Sequence, residues 1–175
     1  MGGGARSPAR GAVTVGSMES VVVRRAEDRD VGRILEIENA SFVDPWTGEA
    51  FRSSLILPHL RFLVAEADWA PGPAGAAAVV GYVLAMVMGP EGEIADIAVA
   101  PEARGRGVGG MLLDRVTALV EQQGVGTIYL EVRESNEAAR RLYESRAFRL
   151  VGRRRRYYQH PVEDALVLRR EIATA

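Results

Sequence analysis

Residues Ile94–Val116, IADIAVAPEARGRGVGGMLLDRV, decide how the rest of the chain is read. An apolar strand, a short turn at Pro101, a loop of glycine and arginine, and an amphipathic helix come one after another without interruption. Gly105, Gly107, Gly109 and Gly110 remove side chains where backbone must approach a partner closely. Arg104 and Arg106 set positive charge beside them, and Val108 lies between. Backbone N–H groups at the start of the helix point into this loop, together with the positive end of the helix dipole. Such a loop seats a pyrophosphate or another anion.

Outward from this stretch the pattern alternates. Upstream, Val21–Arg24 reads as a first strand. Glu27, Asp28 and Asp30 then open a helix carrying Val31, Ile34, Leu35 and Glu38. Phe42–Trp46 (FVDPW) breaks it, and Thr47 caps a second helix with Phe51 and Leu55 on one face, stopping near Pro58. Strands are expected over Arg61–Glu66, Val79–Met88 and Glu93–Val99, with a loop from Ala67 to Ala76 and a turn at Met88–Gly92. Short turns between these strands predict an antiparallel meander. Downstream, Leu112, Val116, Leu119 and Val120 have core spacing, and Gly124 ends that helix. A strand at Ile128–Val132, a helix from about Asn136 to Arg146, and closing strands at Arg155–Gln159 and Ala165–Arg169 complete the chain. The order predicts a single mixed α/β domain.

Composition narrows the function classes. At 175 residues the chain is one domain's worth, with a net charge of −1 that gives no global drive toward nucleic acid or an acidic membrane. All 22 basic residues are arginine, a bias of coding rather than of function. The absence of cysteine excludes a disulfide framework, a thiolate zinc site and a cysteine nucleophile. His59 and His160 are the only imidazoles, too few for a multi-histidine metal centre, and both are expected at the surface. No apolar run approaches the roughly 18 residues of a membrane helix. Residues 1–17 lack a secretory core and are expected to be a disordered extension before a domain spanning 18–175. The expected location is the cytoplasm.

Gly105–Gly110 also matches GxGxxG, with Glu131 about 20 residues on, where a dinucleotide fold keeps its ribose-binding acid. Context argues against that reading. Ala100–Ala103 separate the motif from its strand, the motif comes after several strands instead of opening the domain, and too little chain remains for a second mononucleotide half. The stretch resembles instead the GNAT acetyltransferase superfamily, whose acetyl-coenzyme A motif is a strand followed by Arg/Gln-x-x-Gly-x-Gly/Ala opening a helix. Arg104-Gly-Arg-Gly107-Val-Gly109 fits it. YLEVRESNEAARRLYESRAF, the adjoining RRRRYY and the upstream FVDPW extend the likeness, from about Val22 to Arg169, to the ribosomal-protein-alanine N-acetyltransferases of the RimI type. The resemblance implies a GNAT fold, a central mixed and mostly antiparallel sheet flanked by helices. It also implies direct acetyl transfer from acetyl-CoA, without a metal, to the N-terminal alanine of a small-subunit ribosomal protein.

The same resemblance assigns roles. Residues 104–110 would bind the pyrophosphate, while the backbone of Ile97, Ala98 and Val99 would hold the pantetheine arm and thioester carbonyl. Asp96 stands where many relatives have asparagine. Strand alternation puts Tyr129, Glu131 and Arg133 on the face opposite Ile128, Leu130 and Val132. A glutamate there is costly unless it has a partner or a task. It is either an ion pair with Arg133 or another arginine, or the general base that the resemblance assigns. Asn136 and Tyr143 lie two turns apart on one helix face. Asn136 is a helix cap, a cofactor contact, or both. Tyr143 is a core tyrosine or, by resemblance, the acid that protonates the departing thiolate and touches the cofactor.

Arg153–Arg156 read as a solvated strand edge or turn, with an RNA contact as the alternative. Tyr157 and Tyr158 would wall the acceptor groove, with Trp46 and Asp44 from the FVDPW loop on its other side. Glu36, Glu38 and Asp44 are candidates for meeting a cationic peptide, although a charged helix face explains the first two equally well. Two rival functions are the same fold acting on lysine side chains or small amines, and a non-catalytic acyl-CoA sensor. Relatives' links to the tRNA threonylcarbamoylation machinery make that machinery an expected partner.

Overall fold

The computed structural model describes residues 20–72 and 75–172, so the expected 1–17 extension lies outside the described residues. Strand β1 (Val21–Arg25) leads through a 3-10 turn at Asp28–Asp30 into α1 (Val31–Ser41). The turn is fixed by the buried Asp30 carboxylate, which accepts from both terminal nitrogens of Arg24 at 2.7 and 2.8 Å and from the Glu27 N–H at 2.8 Å. Val31, Ile34 and Ile37 bury the inner face of α1. Helix α2 (Gly48–Ile56) starts where the Thr47 hydroxyl accepts from the Ala50 N–H at 3.2 Å, and it buries Phe51.

Strands β2 (Leu60–Pro71), β3 (Ala77–Met88) and β4 (Glu91–Val99) form the expected antiparallel meander. Helix α3 (Val108–Glu121) crosses over to β5 (Thr127–Arg133), which runs parallel to β4. After α4 (Glu137–Glu144), β6 (Arg149–Gln159) and β7 (Val162–Glu171) close a seven-stranded sheet ordered β1-β2-β3-β4-β5-β7-β6. All its pairings except β4–β5 are antiparallel.

Neighbouring residues define the faces of the sheet. A Cβ built on Gly81 would touch Val108 and Leu112 of α3. The next residue, Tyr82, points to the opposite face, where it meets Glu38 of α1. Phe51, Phe62 and Tyr82 pack their rings on that face, with centroids 5.5 to 6.2 Å apart.

Three expectations need correction. The loop predicted from Ala67 to Ala76 shrinks to a turn, because β2 runs on to Pro71. Its residues pair with Ala77 and Ala78 across a bulge, and Ala67 and Ala70 are buried, so partner hydrogen bonds outweigh an Ala/Gly/Pro composition. Strand β6 starts at Arg149 rather than Arg155. It is an almost wholly exposed edge strand, so it has no apolar alternation to read. Gly109 and Gly110 belong to the first turn of α3, not to the loop. A Cβ at Gly110 would fall 2.1 Å from the Arg146 guanidinium, and one at Gly109 would fall 3.2 Å from Leu142. These two glycines let α4 and the residues after it close onto α3.

A bulge at Ala95 sets which side chains of β4 face α1. Leu84 pairs with Asp96 while the next residue, Ala85, pairs with Ile94. The extra residue reverses the strand's alternation, so Glu93 and Asp96 both face α1. Pairing between β4 and β5 ends at Ile94 and Leu130, although β4 continues along β3 to Val99 and β5 along β7 to Arg133. A notch opens between the two strands beyond that point.

Candidate active site

On one side of the notch lies the start of α3. Gly105 (φ +76°) and Gly107 (φ +80°) occupy the left-handed region, and Gly107 is the N-cap. The chain therefore enters the helix with the N–H groups of its first turn free of intrahelical partners and directed at the loop. Arg104 is held back against the sheet, donating to the Val99 carbonyl at 3.1 Å and the Ser41 hydroxyl at 3.2 Å. The Arg106 guanidinium lies 4.3 Å above the Trp69 ring. Ala98 is buried, with Ile97 and Val99 half-buried on either side along the stretch of β4 that β5 leaves unpaired. Fixed N–H groups, glycine bends and flanking arginines fit the phosphates of a nucleotide cofactor.

Glu131 is the first β5 residue beyond the last β4–β5 pair, with its side chain 18% exposed. Arg154 donates to it from Nε at 2.6 Å, and the Glu131 carboxylate holds the Tyr157 phenol above its ordinary value. The ion pair expected as one alternative is thus present, with Arg154 rather than Arg133. Arg133 instead pairs with Glu163 at 3.2 Å and stacks 4.0 Å over the Tyr158 ring. A cavity of about 190 Å³ opens beside Glu131, bounded by Glu93, Tyr129, Leu130, Arg154 and Val167 among others. Burial, and then the charge of Glu131, raise the Glu93 carboxyl above its usual value. Sequence reasoning missed Glu93, Tyr129 and Arg154 as lining residues. The bulge that aligns Glu93 with this face leaves no mark in composition.

Tyr143 is buried on α4 with its ring edge-on to Phe148, centroids 6.0 Å apart. Its hydroxyl makes no hydrogen bond among the described residues. Burial above all, then the nearby Asp96 and Tyr158, push it well above the ordinary phenol value. Asn136 caps α4, its side-chain oxygen accepting from the Ala139 N–H at 3.1 Å, which leaves its NH₂ group for another partner.

The FVDPW loop and the β6–β7 turn meet, the Asp44 carboxylate lying 3.3 Å from His160 Nδ1. Trp46 stacks on Phe51 at 5.7 Å and stays 38% exposed, while Tyr157 is exposed and Tyr158 half-buried. His59 is exposed, as expected. Glu36 lies at the surface, paired with Arg33. Glu38 does not: it is 1% exposed, accepting from the Trp46 N–H at 2.7 Å and from the Tyr82 hydroxyl. The charged-face explanation fails for it, and so does direct contact with a peptide. Its helical spacing from Val31 and Ile34 was the available signal. The arginine run is the expected strand edge, pinned by carboxylates: Arg153 binds Glu134 and Asp164, and the Arg156 N–H donates to Asp164 at 2.8 Å.

A family model for acetyltransferases of the GNAT type matches residues 31–148. The chain belongs to the GNAT family. It is 36% identical over 159 residues to N-alpha-acetyltransferase RimI of Mycobacterium tuberculosis, a match covering 87% of this chain and 94% of that one. It is 33% identical over 144 residues to the ribosomal protein bS18-alanine N-acetyltransferase of Escherichia coli, covering 81% and 91%. The crystal structure of the E. coli ribosomal-protein-S18-alanine N-acetyltransferase superposes with a TM-score of 0.76 at 28% identity, over 89% of this chain and 96% of that one. Arabidopsis thaliana NAA60, solved with acetyl-CoA, shares the fold at a TM-score of 0.77 and 20% identity, over 87% and 99%. As a GNAT member, this chain is an acetyl-CoA-dependent acyltransferase.

Proposed function

We propose that the chain is an N-alpha-acetyltransferase that moves acetyl from acetyl-CoA to the N-terminal alanine of a small-subunit ribosomal protein, by direct transfer in a ternary complex. The observation that carries this reading is the placement of Glu131 beside a cavity at the edge of the β4–β5 notch, with the buried Tyr143 hydroxyl, unbonded among the described residues, within the electrostatic reach of Asp96 on β4. An α-amino group has a pKa of about 8 and arrives mostly protonated. Glu131 takes one proton from it, through water, and the freed nitrogen attacks the thioester carbonyl carbon. The C–N bond forms, the C–S bond breaks, and its electron pair leaves on sulfur. Tyr143 then donates its proton to the thiolate, and the second proton of the amine leaves to solvent as Tyr143 is reprotonated.

The 104–110 segment orients the pyrophosphate, with the Asn136 NH₂ as a further cofactor contact, and the backbone of Ile97, Ala98 and Val99 aligns the thioester. Trp46, Asp44, Tyr157 and Tyr158 enclose the acceptor end. A ribosomal-protein acceptor places the enzyme in the cytoplasm; separately, no helix among the described residues is long and apolar enough to cross a membrane. The resemblance adds the tRNA threonylcarbamoylation machinery as a partner, which co-purification tests.

Release of free CoA from acetyl-CoA tests the activity, using one peptide with a free N-terminal alanine and another that is N-blocked but carries an internal lysine. Turnover with the first alone supports the proposal. Turnover with the second moves the acceptor to lysine side chains, and silence on both with turnover of small amines overturns a protein acceptor.

A further inference from the structure

Three polar side chains are buried together on the α1 face of the sheet: Glu38 from α1, Tyr82 from β3 and Asp96 from β4, exposed by 1%, 0% and 9%. The Tyr82 oxygen is within hydrogen-bonding distance of both carboxyls, 3.0 Å in the case of Asp96, and the charge of Glu38 bears on Asp96. A phenol has one proton to give and a carboxylate has none. With both acids ionised, two contacts would share the single phenol hydrogen, and two charges would face each other in a largely enclosed site. The geometry closes only if one carboxyl is itself protonated. The Glu38 oxygens already accept from Tyr82 and from the Trp46 N–H, so the extra proton belongs on Asp96.

Asp96 is the residue immediately before the Ile97–Val99 backbone and lies within electrostatic reach of the Tyr143 hydroxyl. Resting on the acetyltransferase reading above, we propose that Glu38, Tyr82 and Asp96 form a one-proton store, and that Asp96 is a positioning residue whose neutral form adds no second negative charge, beside Glu131, to the thioester end of the notch. Attack on the thioester builds negative charge on the carbonyl oxygen and then on sulfur. A carboxylate at position 96 would oppose both, whereas a neutral acid does not. The groups facing Asp96 are Glu38, Tyr82, the Ile97 N–H and Tyr143, with Glu93 and Glu131 further along the same sheet face. Burial, then the charge of Glu38, push the Asp96 carboxyl up to about 7 in the protein without substrate.

The test compares wild type with Asp96→Asn and Glu38→Gln, each of which removes one carboxyl and keeps its shape. The ratio of wild-type to variant kcat, measured against pH with saturating acetyl-CoA and the free-alanine peptide, cancels titration of the amine and of Glu131. The ratio is expected to be flat at low pH and to fall by up to about tenfold per unit once the store empties. A ratio constant at every pH is what a merely structural role gives, and it overturns the proposal. Infrared spectra report the proton itself: a protonated-carboxyl band at neutral pH is expected in wild type and absent from both variants. Its absence from wild type overturns the proton store even if the enzyme is active. No turnover of any amine at any pH instead overturns the acetyltransferase reading and the catalytic part of this proposal, while the band still decides the store.

Discussion

At the scale of single residues, the site separates two roles by environment. Glu131 is partly exposed and bonded to Arg154, so it can be reached by an amine through water. Tyr143 is enclosed, and burial raises its hydroxyl, so it enters the reaction with its proton in place. Glu131→Gln is expected to lower kcat by about 10²- to 10⁴-fold, the usual range for a lost general base. Arg154→Gln, which breaks the same ion pair, should cost far less. Equal losses in the two variants would mean that Glu131 serves only as a partner. Tyr143→Phe should lower kcat while leaving the melting temperature and the KM for acetyl-CoA near wild type, because the hydroxyl makes no hydrogen bond among the described residues whose loss would unsettle the fold. Steady-state kinetics with thermal melts checks all three.

At the scale of elements, the entry to α3 depends on backbone that only glycine adopts without strain. Gly107→Ala forces a Cβ into the left-handed region at φ +80°, which costs about 1–2 kcal/mol. The helix start should tilt, raising the KM for acetyl-CoA more than it lowers kcat. Gly105 and Gly107 were legible in the sequence because their function is local. The same was true of the strand order along the meander, the Thr47 and Asn136 caps, and the alternation in β5 that exposes Glu131. What escaped was non-local. Strand β2 lengthens because β3 offers it hydrogen bonds, and Arg154 belongs to the site because an edge strand carries it over β5. Asp96 and Glu38 look like a strand polar residue and a helix polar residue until α1 is laid across the sheet.

At the scale of the whole molecule, stability should fall on both sides of an intermediate pH, for opposite reasons. Burial alone would lift the Asp30 carboxyl, but the bonds and charge of Arg24 and the Glu27 N–H together hold it below the usual value. Glu66 is held low chiefly by Arg24. These groups release protons more readily in the folded chain, so their stabilisation is present above about pH 4 and is lost as pH falls through their lowered values. Asp96 has the opposite sign. Its stabilisation is complete below about pH 4 and is lost as pH rises through about 7. Urea unfolding across pH should show Asp30→Asn destabilised by about 3 kcal/mol at neutral pH, with a flatter acid limb. Asp96→Asn should lose the decline between about pH 4 and about 7, and unchanged limbs would contradict the assignment.

The short contact between β4 and β5 also governs how this molecule breathes. Four strands on one side and three on the other are joined across the sheet by a single brief parallel stretch, Glu91–Ile94 against Thr127–Leu130. This is the main-chain seam with the fewest bonds to break, and chemistry is carried out at its open end. In native-state hydrogen exchange, amides along this line are expected to trade with solvent at a lower opening free energy than those of the β2–β3 ladder. A bound cofactor lying along the unpaired edge would act as a rivet, slowing exchange on both flanks at once and tying the two half-sheets into one mechanical unit.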